Sequence, residues 1–288
     1  MLRQPFAPVG FVLLCVLAGA GAPRAAADLT WLDRVNFYRA MASLPPVAED
    51  PVLSGAVLQH ARYMVTHDEV RHSEDRRGPW ATPEGAAAAA VSNLAGSTSA
   101  FETDSWAVDA WMQAPFHALG ILDPALQQVG FGIHRARDGR IQTAAGLDVI
   151  RGRGAAPAAL AYPIVWPANG STVPLAKHTG EYPDPLASCQ GYELPAGLPV
   201  IVQLGSGGEV PNVTGSWFVD GTRPLDHCIF DEGSYRNRDA VQQRLGRSIL
   251  RSRNAIVLIP RKPLTPGTPY RTVVEVNGRL IDWTFEVR

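Results

Sequence analysis

Four histidines are the side chains of this chain best suited to chemistry, and their spacing decides which of them could act together. His60 and His67 are seven residues apart on one predicted helix, two turns or about 10 Å, too far to share a metal ion without other elements. His60 falls on an apolar stripe with Leu53, Ala56, Val57, Ala61 and Met64, and reads as a hydrogen-bonded core histidine. His67 nears the helix end and reads as exposed. His72 follows that helix directly, in Val70-Arg71-His72-Ser73-Glu74, and His117 stands two residues past Pro115, where a side chain can face a cavity. Neutral imidazoles suit zinc or copper. A zinc site with a hydrolytic role also needs further ligands and a base that activates water, and no spacing places Glu74, Glu84 or Asp109 beside His72 and His117. The chain has no Gly-x-Ser-x-Gly elbow, no Gly-rich phosphate loop and no Cys-x-x-Cys pair, so no other catalytic chemistry is indicated.

The elements that must position these residues follow from periodicity. Thr30 and Asp33 form a capping box before a helix through about Met41. Asp50-Pro51 opens a second, with an N-cap and proline at the first helical position. The alanine-rich run from Glu84 to Ala90 favours a short third helix. Ala107, Ala110, Trp111 and Ala114 share one stripe of a helix from about Ser105 that Pro115 stops, because proline lacks the N–H and clashes with the preceding turn. A short second turn then closes at Ile121–Pro124. Strands at Gln128–Ile133 and Gln142–Ile150 flank Asp138-Gly139, a hairpin signal. Arg151–Pro157 reads as a flexible linker. Beyond Ala161 the pattern is short strands: Tyr162–Trp166, Val200–Leu204, Gly215–Val219, Ile256–Ile259, and a last hairpin turning at Asn277-Gly278, with one helix at Asn237–Leu245.

Residues 1–27 have the three parts of a secretory signal: Arg3, the apolar run Val9–Ala20 and Ala25-Ala26-Ala27 before the cut. The mature chain is expected to start at Asp28, secreted to the exterior or the periplasm. Removing Arg3 and Arg24 from the 26 basic residues leaves 24 against 27 acidic ones, a formal charge of −3. No basic block appears, which excludes nucleic acid as a partner, and no later stretch could cross a membrane. Cys15 leaves with the signal. The remaining even pair, Cys189 and Cys228, reads as a disulfide in an exported chain.

The run Trp111-x-x-x-Pro115-x-His117, followed by Ile-Leu-Asp-Pro and Val-Gly-Phe-Gly, resembles the bacterial branch of the CAP superfamily (cysteine-rich secretory proteins, antigen 5 and pathogenesis-related proteins). Leu-Asp-x-x-Asn-x-x-Arg with Leu44-Pro45-Pro46 resembles its opening helix, and His72 and His117 match its two signature histidines. The resemblance covers roughly residues 29–152. It implies an α-β-α sandwich with a cavity at His72, His117, Ser92, Asn93 and Trp111. The chain departs from the pattern at both acids: Ser92 stands in Val-Ser-Asn-Leu-Ala where glutamate is expected, and Ala114 stands at the second acidic position. Ser92 is expected to hydrogen-bond a histidine in the glutamate's place. Trp166-Pro-Ala-Asn-Gly-Ser and Pro263–Tyr270 resemble bacterial immunoglobulin-like modules.

The expected fold class is therefore α+β: a signal at 1–27, a CAP domain at 28–152, a linker at 153–161 and an all-β sandwich at 162–288. The expected function is a secreted, non-catalytic module that binds a lipid or cell-envelope ligand, with no cofactor and at most weak zinc at His72 and His117. The alternatives are a surface scaffold or adhesin in which the sandwich makes the contacts, and a zinc-assisted hydrolase.

Overall fold

The structure is a computed structural model that describes residues 29–205 and 209–288; the signal at 1–27 and Cys15 lie outside the described residues. The N-terminal region is built on a four-stranded sheet of order β1-β3-β4-β2, comprising β1 (Ala48–Glu49), β2 (Ser92–Ser97), β3 (Gln128–Arg135) and β4 (Thr143–Asp148). The β1–β3 pair is parallel; β4 runs antiparallel to both β3 and β2.

Strand alternation sends β3 to two different helical layers. Val129 and Phe131 join the core cluster that holds Trp111 and Val35, and Phe131 stacks on Trp31 with ring centroids 4.9 Å apart. Gly130 and Gly132 point the other way, against the backbone of α2 (Pro51–Thr66). A Cβ on Gly132 would lie 2.2 Å from the Leu58 nitrogen, and one on Gly130 2.4 Å from the Leu53 carbonyl carbon. The glycines thus let helix and strand approach to backbone contact, and the sheet is sandwiched between α2 and the layer of α1 (Trp31–Met41) and α4 (Trp106–Met112).

The helix starts are capped as their sequences dictate. Thr30 and Asp33 exchange both capping-box bonds, and Asp50 accepts from the amides of Val52 and Leu53. The alanine run forms α3 (Pro83–Ala89). Pro115 does end the preceding helix, but it also begins another, α5 (Pro115–Ile121), as its first residue. His117 therefore sits in the first turn of a helix and not in a loop.

Residues 153–161 contain no helix or strand. Beyond them lie β5 (Ile164–Trp166), β6 (Ser171–Val173), β7 (Lys177–His178), β8 (Ala196–Gly197), β9 (Val200–Gln203), β10 (Val213–Asp220), β11 (Arg223–Pro224), β12 (His227–Phe230), β13 (Ala255–Pro260), β14 (Thr268–Val276) and β15 (Arg279–Val287). They form a five-stranded sheet of order β11-β10-β14-β15-β6, a four-stranded one of order β12-β13-β9-β5 and the small pair β7-β8. The hairpin expected at Asn277-Gly278 joins β14 (Thr268–Val276) to β15 (Arg279–Val287), and β9 (Val200–Gln203) pairs with β13 (Ala255–Pro260). The helix is displaced from its expected place and is longer: α6 runs Ala240–Arg251, capped by Asp239. Cys189 and Cys228 are joined, with Cα atoms 5.5 Å apart.

The two regions share one core. Tyr38 meets Trp166 edge-on at 5.4 Å, Phe116 packs on Tyr235 at 5.2 Å, and Gln203 donates to the Leu122 carbonyl. Asp123, nearly buried, pairs through Oδ2 with Arg253 at 2.6 Å and with Arg153 at 2.8 Å. Most of these contacts fall on α5 or just after it, so the C-terminal region is docked on the helix that carries His117.

Candidate functional site

His72, Ser92, Asn93 and His117 line one cavity of about 400 Å³, within the size range of small-molecule sites. His72 is exposed at its edge, while the His117 side chain is only 14 % exposed. Trp111 does not line this cavity: it is 2 % exposed, and its indole donates to the Leu94 carbonyl at 3.0 Å. Its place on the apolar face of α4 makes it a core residue. Asn93 positions α5 by donating from Nδ2 to the His117 carbonyl at 3.0 Å. The Ser92 hydroxyl, expected to bond a histidine, is buried and has no hydrogen-bond partner among the described residues.

The acid at the site comes from the C-terminal region. Glu181, 64 residues beyond His117, reaches its Nδ1 with Oε2 at 2.7 Å. Its two oxygens also accept the backbone amides of Phe116 and His117, each at 3.1 Å. These amides belong to the open first turn of α5, whose N-cap Ala114 has no side chain that could cap it. Glu181 thereby supplies the missing cap and the missing acid together. Its carboxylate, 1 % exposed, is held by donors only.

Of the three acids weighed as partners in the N-terminal region, Glu74 and Asp109 are engaged elsewhere and Glu84 faces solvent. Glu74 accepts from the His60 ring at 2.9 Å with both side chains fully buried, and His60 Nε2 faces the Arg71 carbonyl at 2.8 Å. His60 is thus the core histidine that its stripe predicts. Asp109 is held by the Tyr38 hydroxyl at 2.6 Å and by Arg34 at 3.0 Å, and Glu84 is exposed. His67, expected to be exposed, is half-buried because its ring stacks on Tyr63 at 3.9 Å.

Hydrogen bonding sets the form of both cavity imidazoles. His72 Nδ1 faces the Ala89 carbonyl at 2.8 Å, and His117 Nδ1 faces a carboxylate. Both partners only accept, so both Nδ1 atoms carry the proton, and each neutral ring keeps its lone pair on Nε2. Neither Nε2 has a hydrogen-bond partner among the described residues. Desolvation by the surrounding walls holds the His72 pKa below its ordinary value; the Ala89 carbonyl opposes this, and the neighbouring His117 and His60 add to it. With both rings in the neutral form the site offers two electron-pair donors. Among the described residues no three His, Cys, Asp or Glu side chains converge as a metal-ligand set. Glu181 stands behind a ring, where it orients the imidazole without adding a ligand.

The remaining walls are apolar: Val91, Phe116 and Val149 from the N-terminal region face Val241, Leu245 and Ile249 of α6, with Tyr182 and Pro183 beside them. The spacing 241, 245, 249 is legible as one helical stripe, but nothing local shows what that stripe faces. Arg253 also lines the cavity, with its guanidinium held by Asp123.

Residues 32–145 match the model of the family described as CAP: Cysteine-rich secretory protein family, so this chain carries a CAP domain. No curated protein matches it. Among solved structures it is similar to an extracellular protein containing a SCP domain from Bacillus anthracis str. Ames, at 17% identity and a TM-score of 0.31, over 41% of this chain and 38% of that one. The chain thus spans well under half the length of that relative.

Proposed function

We propose that this is a secreted, non-catalytic binding protein for an amphiphile. The apolar part of the ligand lies between α5 and α6, and its polar head meets Nε2 of His72 and of His117. The observation that carries this reading is the pair of imidazoles with both Nδ1 protons committed to acceptors, at a cavity whose facing walls from α5 and α6 are apolar. Two unpartnered lone pairs call for a hydrogen-bond donor. A hydroxyl head donates its one O–H to either of them; a carboxylate head has no proton to donate and would face two acceptors, with the Glu181 carboxylate behind His117. A long-chain alcohol should therefore bind more tightly than the acid of equal chain length, by roughly tenfold for one well-made bond. Fluorescence displacement below the critical micelle concentration measures this, and equal affinity for alcohol and acid would overturn it.

Divalent metal binds here weakly at most, since two imidazoles fall short of the three or four protein ligands of a zinc site. Export is supported by the signal-like start and the Cys189–Cys228 bond. We read residues 28–152 as the CAP domain, 153–161 as the linker and 162–288 as an immunoglobulin-like module, a reading supported by the paired sheets and the NG hairpin.

A further inference from the structure

Helix α6 has two uses, and only one of them is to wall the cavity. Its inward side is Gly246 and Leu250: a Cβ on Gly246 would lie 2.5 Å from the Tyr235 ring, and Leu250 is fully buried. At 100° per residue, Val241, Leu245 and Ile249 fall within 80° of one another, and Arg244, Arg247 and Arg251 fall within a separate 60° arc. The outer surface of the helix is thus half apolar and half cationic. Val241 is 59% exposed and Leu245 43%; Tyr182 and Ile150, across the cavity mouth, are 54% and 43% exposed. Residues 236–251 hold five arginines and a single acid, Asp239. Arg251 pairs with Glu232, and Arg247 donates to the Tyr235 and Gly233 carbonyls. Arg238 and Arg244 are exposed and have no acidic partner among the described residues.

We propose that the cavity mouth docks on an anionic lipid bilayer. Helix α6 lies in the plane of the interface, with Val241, Leu245, Tyr182 and Ile150 in the acyl boundary and Arg238 and Arg244 among the headgroup phosphates. An apolar stripe bordered by arginines is the pattern of helices that lie in such a plane, and the charge selects an anionic surface. The position adds a reason that rests on the amphiphile reading above: a ligand with low solubility in water is reached most directly from a bilayer, and this face opens onto the cavity that would take it.

The test uses the full chain and two vesicle populations, one of equimolar phosphatidylglycerol and phosphatidylcholine and one of phosphatidylcholine alone. Co-sedimentation should show binding to the mixed vesicles roughly tenfold or more above that to the neutral ones, falling as salt is raised. The Arg238→Glu/Arg244→Glu variant touches neither imidazole nor cavity wall. It should lose vesicle binding by more than about tenfold and keep its affinity for a long-chain alcohol in solution. Equal binding to both vesicle types, absence of vesicle binding, or an unaffected variant would each overturn the proposal. So would sedimentation velocity showing a dimer that the variant leaves intact and that vesicles do not dissociate, because the face would then belong to a second copy. Vesicle binding without any alcohol binding in solution would instead sink the cavity reading and leave the docking surface standing.

Discussion

Glu181 and Ser92 decide the character of the site, and substitution of each separates its roles. Glu181 serves the ring of His117 and two amides of α5 at once. Glu181→Ala leaves those buried donors unpaired, at about 1–3 kcal/mol for a group left unsatisfied. It also frees His117 to take either tautomer. Denaturant melts should show the loss, and nitrogen NMR of the His117 ring should change from one protonated at Nδ1 to a mixture; an unaltered ring signal would refute the assignment. Ser92 shares the cavity with both imidazoles and has no hydrogen-bond partner among the described residues. Ser92→Glu would add a carboxylate ligand, so calorimetry should find zinc bound more tightly by the variant than by the natural chain. A nanomolar dissociation constant for the natural chain would show that another ligand completes the set, and would raise the hydrolase alternative.

At the scale of elements, the α2–β3 contact carries the sandwich. Gly132 is needed for space and not for its φ: its Cβ would fall 2.2 Å from the Leu58 nitrogen and 2.5 Å from the Leu58 Cα. These are backbone atoms and cannot turn aside as a side-chain tip would. Gly132→Ala must therefore push α2 off the sheet, at a cost toward the upper end of the roughly 1–3 kcal/mol found for overpacking. A urea transition displaced by less than about 0.5 kcal/mol would mean that the helix slides freely. The alternation that produces this contact is visible in the sequence as Val-Gly-Phe-Gly, with large residues toward Trp31 and Trp111 and none toward α2. The first turn of α5 was not visible in the same way. Pro115 signals a helix stop and a helix start equally well, and the difference lies in whether a cap is available, which here comes from Glu181.

For the whole molecule, the buried contacts at α5 couple the two regions. A chain ending at Arg153 keeps the sheet and its helices but loses Glu181, Gln203, Arg253 and the cover of Phe116 and Tyr38. Exposing a fully buried aromatic side chain costs about 1.5–3 kcal/mol, and both Phe116 and Tyr38 would be uncovered, while Asp123 would keep Arg153 as its partner. The truncated chain should remain helical by circular dichroism yet melt at least roughly 10 °C below the full chain. A melt at the same temperature would show that the interface contributes nothing to the stability of the CAP region.

Local order was within reach of the sequence because it depends on neighbours a few residues apart. The capping box at Thr30, the Asp50-Pro51 start, the core stripe of His60, the Asp-Gly and Asn-Gly hairpins and the pairing of the two mature cysteines all follow from spacing and residue type. His72, Ser92, Asn93 and His117 could be named by resemblance and meet at one cavity, but Trp111, named with them, turns its indole to Leu94 in the core. The other half of the site was decided only by tertiary packing. Glu181 stands in an irregular stretch without a motif, and Val241, Leu245 and Ile249 form a stripe whose partner no local pattern names. Helix and strand periods relate side chains along one element; they say nothing of which element docks against α5 from 64 residues away. That docking follows from burial of Phe116, Phe230 and Tyr235 and from the pairing of Asp123 with Arg253, so the acid of the site and the outer wall of its cavity exist only in the folded chain.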